Sequence, residues 1–191
     1  IRALAPYLTP EQAGRLCRQY CPTTALWQLY PKYRKVAEQH DTQRARTLAF
    51  NAAFDRPQHR FGERTSDVLA GVVGAVKAAQ DRGWKVVVAA HKAMDRGIEP
   101  YLDAGGVSYD TEDLTEASPD EIMAFYAQVD FAFGMRGHAQ MIPFGLRRPI
   151  MSIISHDKMR FFLEDLHRPE WGVEVDAPDI KARLSAALHR V

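Results

Sequence analysis

The chain has 191 residues, 25 basic and 24 acidic, with 46% hydrophobic and 26% charged side chains. That composition excludes collagenous, low-complexity and disordered chains, and a formal net charge of +1 leaves no global field for a nucleic-acid backbone. The length suits one domain with an added arm, at roughly 100–200 residues per domain, and no run approaches the roughly 18 apolar residues of a membrane span.

Ile1 to Pro10 reads as the interior of a fragment or processed chain. Without a charged-then-apolar leader, a cytoplasmic protein is expected. Thr9-Pro10-Glu11-Gln12 is a helix start, with Thr9 as N-cap and Pro10 at the first helical position. The helix runs to about Tyr20 and stops before Cys21-Pro22. Cys17 and Cys21 are too few for a disulfide framework or a four-ligand zinc site, and they read as buried thiols. An apolar patch from Ala25 to Tyr30 and a polar helix from Lys32 to Arg44 complete an arm, residues 1–45, without an obvious core of its own.

From Arg46 onward, short apolar runs alternate with amphipathic stretches. Thr47 to Ala53 reads as a strand, followed by a polar loop with Asp55, Pro57, His59 and Arg60. A helix from Thr65 to Arg82, apolar at helical spacing and ended by Gly83, leads to Trp84–Ala90, an apolar run typical of a strand covered on both faces. A helix over Ala93 to Leu102, a weak strand at Val107 to Tyr109 and a helix opened by Ser118-Pro119 follow. The acids Glu112, Asp113, Glu116, Asp120 and Glu121 read as a solvated helix face with its caps.

Val129 to Gly134 is the next strand, then a helix from His138 to Leu146 and a strand from Pro149 to Ile154. A helix around Lys158 to Leu166, a strand at Gly172 to Val175 and a helix from Pro178 to Arg190 end the series. This alternation is the grammar of a doubly wound, mostly parallel α/β sheet, Rossmann-like, spanning residues 46–191.

Ligands of such sheets bind beyond the carboxyl ends of the strands. Four loops bring chemistry there. One holds Asn51, Asp55 and His59; the next holds His91 and Lys92, with Asp95 close behind; the others hold Gly134 to His138 and Ser155 to Lys158. Four of the seven histidines therefore share one face. Arg136 and Lys158 sit beside helix N-terminal amides, a ready anion site, and Gly134 and Gly137 favour close approach of the backbone to a ligand. His138 and His91 could equally be satisfied core histidines, and His59 reads as exposed. No dinucleotide fingerprint, Walker loop, nucleophile elbow or zinc helix is present, so no cofactor or metal is called for.

The run Val129 to Leu166, with Gly134-Met135-Arg136-Gly137-His138, Gly145, Pro149 and Lys158, resembles the signature segment of polysaccharide pyruvyl transferases. The resemblance covers most of residues 47–167 and departs at Gly137, where the family commonly has Leu. It implies the C-terminal half of a two-domain, GT-B-like enzyme whose N-terminal domain lies outside this chain. It also implies transfer of a pyruvyl group from phosphoenolpyruvate to a cell-surface sugar, with phosphoenolpyruvate and the sugar acceptor as partners. Arg136 and His138 become the expected catalytic and substrate-binding residues, and Lys158, His91 and His156 further substrate-binding ones. Two rival readings are a GT-B glycosyltransferase using a nucleotide sugar and a non-catalytic binding domain.

Overall fold

Six strands, all parallel, carry the fold: β1 Arg46–Asn51, β2 Trp84–Ala90, β3 Asp110–Asp113, β4 Phe131–Gly134, β5 Ile150–Ile154 and β6 Gly172–Glu174. The computed structural model describes residues 7–15, 21–41 and 46–189. The strand order is β3-β2-β1-β4-β5-β6, the Rossmann-like order, which reverses direction between β1 and β4 and opens a crevice there.

Side-chain alternation along each strand builds two cores of different texture. Leu48 and Phe50 of β1, Val86 and Val88 of β2, and Phe131 and Phe133 of β4 face one side. There they meet α5 (Thr65–Asp81) and α10 (Ile180–His189) through Val68, Val72, Val76, Ile180 and Leu184. The intervening Ala49, Ala89 and Ala132 face the other side. Their small size lets α7 (Pro119–Ala127), α8 (His138–Gly145) and α9 (Asp157–Asp165) settle close to the sheet.

The N-terminal residues join that second layer. Helix α1 (Pro10–Gly14) opens with reciprocal bonds, Gln12 N–H to Thr9 Oγ1 (3.2 Å) and Thr9 N–H to Gln12 Oε1 (2.9 Å), a capping box. Arg15 is already a turn, and residues 16–20 of the helix expected up to Tyr20, Cys17 included, lie outside the described residues; Cys21 is a half-buried free thiol. Helices α2 (Leu26–Leu29) and α3 (Pro31–His40) bury Leu26, Tyr33 and Ala37 among the residues of α7 and α8. A Cβ at Gly145 would stand 1.6 Å from the Thr23 carbonyl oxygen, so only glycine admits this backbone approach. Residues 21–41 thus have no core of their own and share that of the sheet.

Local differences from the expected elements have local causes. The third strand forms at Asp110–Asp113 rather than Val107–Tyr109. It is an edge strand, where charged side chains are tolerated and help to block further pairing, so apolar content misplaces it. Glu112 and Asp113 accordingly belong to an edge strand and not to a helix face. The loop after β1 contains a short helix, α4 (Pro57–Phe61), started by Pro57 and anchored by buried Phe61. The helix expected over Ala93 to Leu102 divides into a 3-10 segment, Ala93–Ile98, and α6 (Glu99–Ala104), with Pro100 in the first turn of α6.

Candidate functional site

All five residues singled out from sequence, His91, Arg136, His138, His156 and Lys158, line one cavity of about 250 Å³ at the carboxyl ends of the central strands. Arg60 from α4 and Lys92 after β2 join them. His59, on the exposed side of α4, does not.

The floor of the site is a buried polar network at the switch point. Asn51, 2% exposed at the end of β1, donates from Nδ2 to the Ala89 carbonyl oxygen (2.7 Å) and to Asp95 Oδ2 (3.3 Å). Its Oδ1 accepts the Arg136 N–H (3.2 Å), so one side chain ties β1 to its neighbours on both sides. Gly134 ends β4 because a Cβ there would lie 2.5 Å from the Asn51 carbonyl oxygen. The close approach expected of this glycine is therefore to β1, not to a ligand. Gly137, in contrast, lines the cavity.

Asp95 is the hub of that network. Fully buried, it accepts the His91 and Lys92 main-chain N–H groups (3.1 Å each) and binds Arg136 through Nε (2.7 Å) and Nη2. Asp55 stands 3.5 Å from Arg136 Nη2 and pairs with Arg60 Nε (3.1 Å). Burial pushes the Asp55 carboxyl up, but the Arg60 bond and the charges of Arg136 and Arg60 outweigh it and hold it at about 2. Burial opposes the charge of Arg136, and Asp95 more than restores it. The Nε–Nη2 edge of Arg136 is thus already occupied by carboxylate. That pairing positions the Gly134–His138 turn and supplies field.

Less engaged groups are Lys158, Lys92 and the imidazoles, with Arg60 held by Asp55 on its Nε–Nη2 edge. Lys158, exposed at the start of α9, has no hydrogen bond or ion pair among the described residues, and neither has His138 at the first position of α8. Lys92 is 3.8 Å from Asp55. Arg60 Nη1 reaches Ser155 Oγ and His156 Nδ1 (3.3 Å each); since guanidinium only donates, Nδ1 of His156 accepts and its proton sits on Nε2.

All three cavity histidines are shifted towards the neutral form. Burial lowers His91 to about 4, assisted by Arg136 and His138 against the pull of Asp95. Burial and Lys158 lower His138; burial, Arg60 and Lys158 lower His156. With the imidazoles neutral, four cations face two carboxylates, a surplus of two positive charges.

A larger cavity, about 600 Å³, opens at the opposite ends of β4 and β5 between Trp27, Phe144 and Trp171. Its arginines are engaged: Arg147 covers the Trp27 ring, and Arg148 binds Asp41 and the Ala127 carbonyl oxygen. It holds no converging set of titratable groups. Among the described residues no cluster of three or more His, Cys, Asp or Glu is arranged to hold a metal, and no helix is long and apolar enough to cross a membrane.

The sequence places Lys92, Asn51 and Asp95 in the strand-end loops without assigning them to the site, and gives Arg60 only a place in the loop after β1. The available signal was position: Asn51 and Lys92 flank the same strand ends as the residues assigned. No protein-family model matches the chain, and no curated protein matches it.

Proposed function

We propose that the cavity binds phosphoenolpyruvate and that the domain serves pyruvyl transfer to a sugar, as the cytoplasmic, C-terminal half of a two-domain, GT-B-like enzyme. The observation that carries the reading is the convergence of Arg60, Lys92 and Lys158 with three neutral imidazoles at the switch point. Its supporting magnitude is size. A cavity of about 250 Å³ is below the roughly 300–1,000 Å³ of sites for drug-sized ligands, which suits a compact phosphate–carboxylate better than a nucleotide sugar.

The chemistry asked of the site is modest. The methylene gains a proton, two acceptor hydroxyl oxygens bond to C2 of the enol phosphate, the C2–O bond to phosphate breaks and the second hydroxyl proton leaves with the phosphate. Lys158 and Lys92 hold the phosphate and carboxylate, and the field of the paired Arg60 and Arg136 helps to stabilise the departing charge. The bound anion raises the proton affinity of His138, so that it arrives protonated and gives its proton to the methylene, which makes C2 electrophilic. The imidazole, then neutral, accepts the proton of the attacking hydroxyl.

Calorimetric titration with phosphoenolpyruvate, inorganic phosphate and a panel of nucleotide sugars tests this. The expected order is phosphoenolpyruvate tightest, with Lys158→Ala weakening it at least tenfold, since a charge-assisted hydrogen bond contributes about 1.5–3 kcal/mol. Tighter binding of a nucleotide sugar, or indifference to Lys158→Ala, would overturn the reading.

A further inference from the structure

Tyr126 is the largest of the fully buried side chains, 1% exposed on the last turn of α7, yet it carries a hydroxyl into the core. That hydroxyl has one partner among the described residues, Nε2 of His91, at 2.7 Å. The two ring planes are nearly parallel, 20° apart, with centroids 5.8 Å from one another. The main-chain N–H of His91 is held by Asp95 Oδ2 (3.1 Å). The backbone of His91 is thus tied to the buried floor of the cavity and its imidazole to the helical layer through Tyr126.

We infer that Tyr126 is a positioning residue that fixes His91 as a neutral imidazole protonated on Nδ1, a permanent hydrogen-bond donor facing the anion cavity. A phenol can donate one bond and accept others, whereas a neutral imidazole has one N–H and one bare nitrogen. If Nε2 carried the proton and donated to the phenol oxygen, the Tyr126 O–H would be buried with no acceptor, which costs about 1–3 kcal/mol. If Tyr126 donates to bare Nε2, both groups are satisfied and the imidazole proton moves to Nδ1. Nδ1 has no hydrogen-bond partner among the described residues, and it is not among their buried unpaired atoms, so it opens to the cavity.

The charged neighbours agree with a neutral ring. Asp95 favours protonation, but burial outweighs it, with Arg136 and His138 adding to the effect. Burial and Asp95 also push the phenol up, so it keeps its proton. His91 then differs from His138: it offers a donor whose availability does not change with pH through neutrality.

This inference rests on the reading of the cavity as an anion site, but its first test does not. Long-range ¹H–¹⁵N correlation on the ¹⁵N-histidine-labelled full chain, without ligand, reports which His91 nitrogen is protonated. Protonated Nδ1 and bare Nε2 from pH 6 to 8 are expected; a protonated Nε2 overturns the inference. Tyr126→Phe should mix the two tautomers with the fold intact, and an unchanged Nδ1-H population would equally overturn it. Titration with phosphoenolpyruvate then adds a binding readout. His91→Asn, whose amide nitrogen stands near the position of Nδ1, should bind within about threefold of the unmodified chain. His91→Gln and Tyr126→Phe should lose about fivefold, the worth of a typical hydrogen bond. If His91→Gln binds better than His91→Asn, the assignment of Nδ1 as the donor fails. If the unmodified chain binds no phosphoenolpyruvate while the spectrum shows Nδ1-H, the anion reading fails and the tautomer assignment stands.

Discussion

Replacing Asp95 by asparagine should reveal whether Arg136 is held by the protein or reserved for a ligand. Asp95 is fully buried and accepts from Arg136 twice, from the His91 and Lys92 amides and from Asn51 Nδ2. Asparagine keeps the shape but turns one acceptor into a donor facing other donors. Removing one partner of a buried ion pair costs about 3–5 kcal/mol. Asp55, still 3.5 Å from Arg136, retains part of the attraction, which puts the loss near the lower end, about 3 kcal/mol. For a chain of this size that corresponds to a melting temperature lower by roughly 6–12 °C. Urea unfolding followed by circular dichroism should show a lower midpoint with an unchanged slope. Arg136→Gln should cost a similar amount, and the double variant less than the sum by about 2 kcal/mol, because the two side chains act as one unit. A loss below about 1 kcal/mol for Asp95→Asn, or additive losses, would refute the argument that Asp95 is the principal partner of Arg136.

Three further outcomes are expected. Burial and neighbouring cations keep His138 and His156 towards the neutral form, and a bound dianion reverses the second effect. Phosphoenolpyruvate binding should therefore take up protons and tighten from pH 8 to pH 6, seen as a buffer-dependent enthalpy in calorimetry; a buffer-independent enthalpy refutes it. His91 is lowered to about 4 by burial, so between its ordinary 6.5 and that value the unfolded chain binds a proton that the folded chain does not. The stability carried by neutral His91 is complete above pH 6.5 and lost as pH falls towards 4, on the order of 3 kcal/mol; urea unfolding of His91→Asn should show a flatter slope over that window, and an identical slope would exclude the effect. Gly134→Ala, whose Cβ would meet the Asn51 carbonyl oxygen at 2.5 Å, should destabilise by about 1–3 kcal/mol through overpacking, and an unchanged thermal midpoint would show that β1 and β4 can separate.

What was legible in the sequence was whatever depends on local pattern. Trp84–Ala90 is bounded as expected because a central strand is apolar throughout. The capping box Ser118–Glu121 is written in two residue types three apart. The five site residues were reachable because strand ends in a parallel sheet share a face whatever their separation in sequence. β3 was misplaced because an edge strand is not selected for apolar content. Arg60 was passed over because its importance lies in reaching Ser155 and His156, about a hundred residues later, from a helix read as a loop. Asp95 was visible beside His91, but nothing local shows that it faces Arg136, 41 positions on. Pairings of this kind belong to the tertiary fold.

Those pairings also explain why a near-neutral chain can hold a cationic cavity. Four cations around a space of about 250 Å³ repel one another, and with no ligand bound that repulsion acts on the folded state alone. Asp95 and Asp55 relieve it by engaging Arg136 and Arg60, the two cations least able to escape into solvent, since their side chains are 11% and 14% exposed. Lys92 and Lys158, exposed on flexible stems, need less relief. The division leaves a surplus of two charges on the mobile, hydrated lysines and rigidity in the buried arginines. On the proposed reading, a small dianion would meet Lys158 without first breaking an internal ion pair, and Lys92 at the cost of only its 3.8 Å contact with Asp55. Had both carboxylates paired with the lysines alone, the arginines would be buried unpaired, and the same composition would yield a weaker fold and no free cation at Lys158.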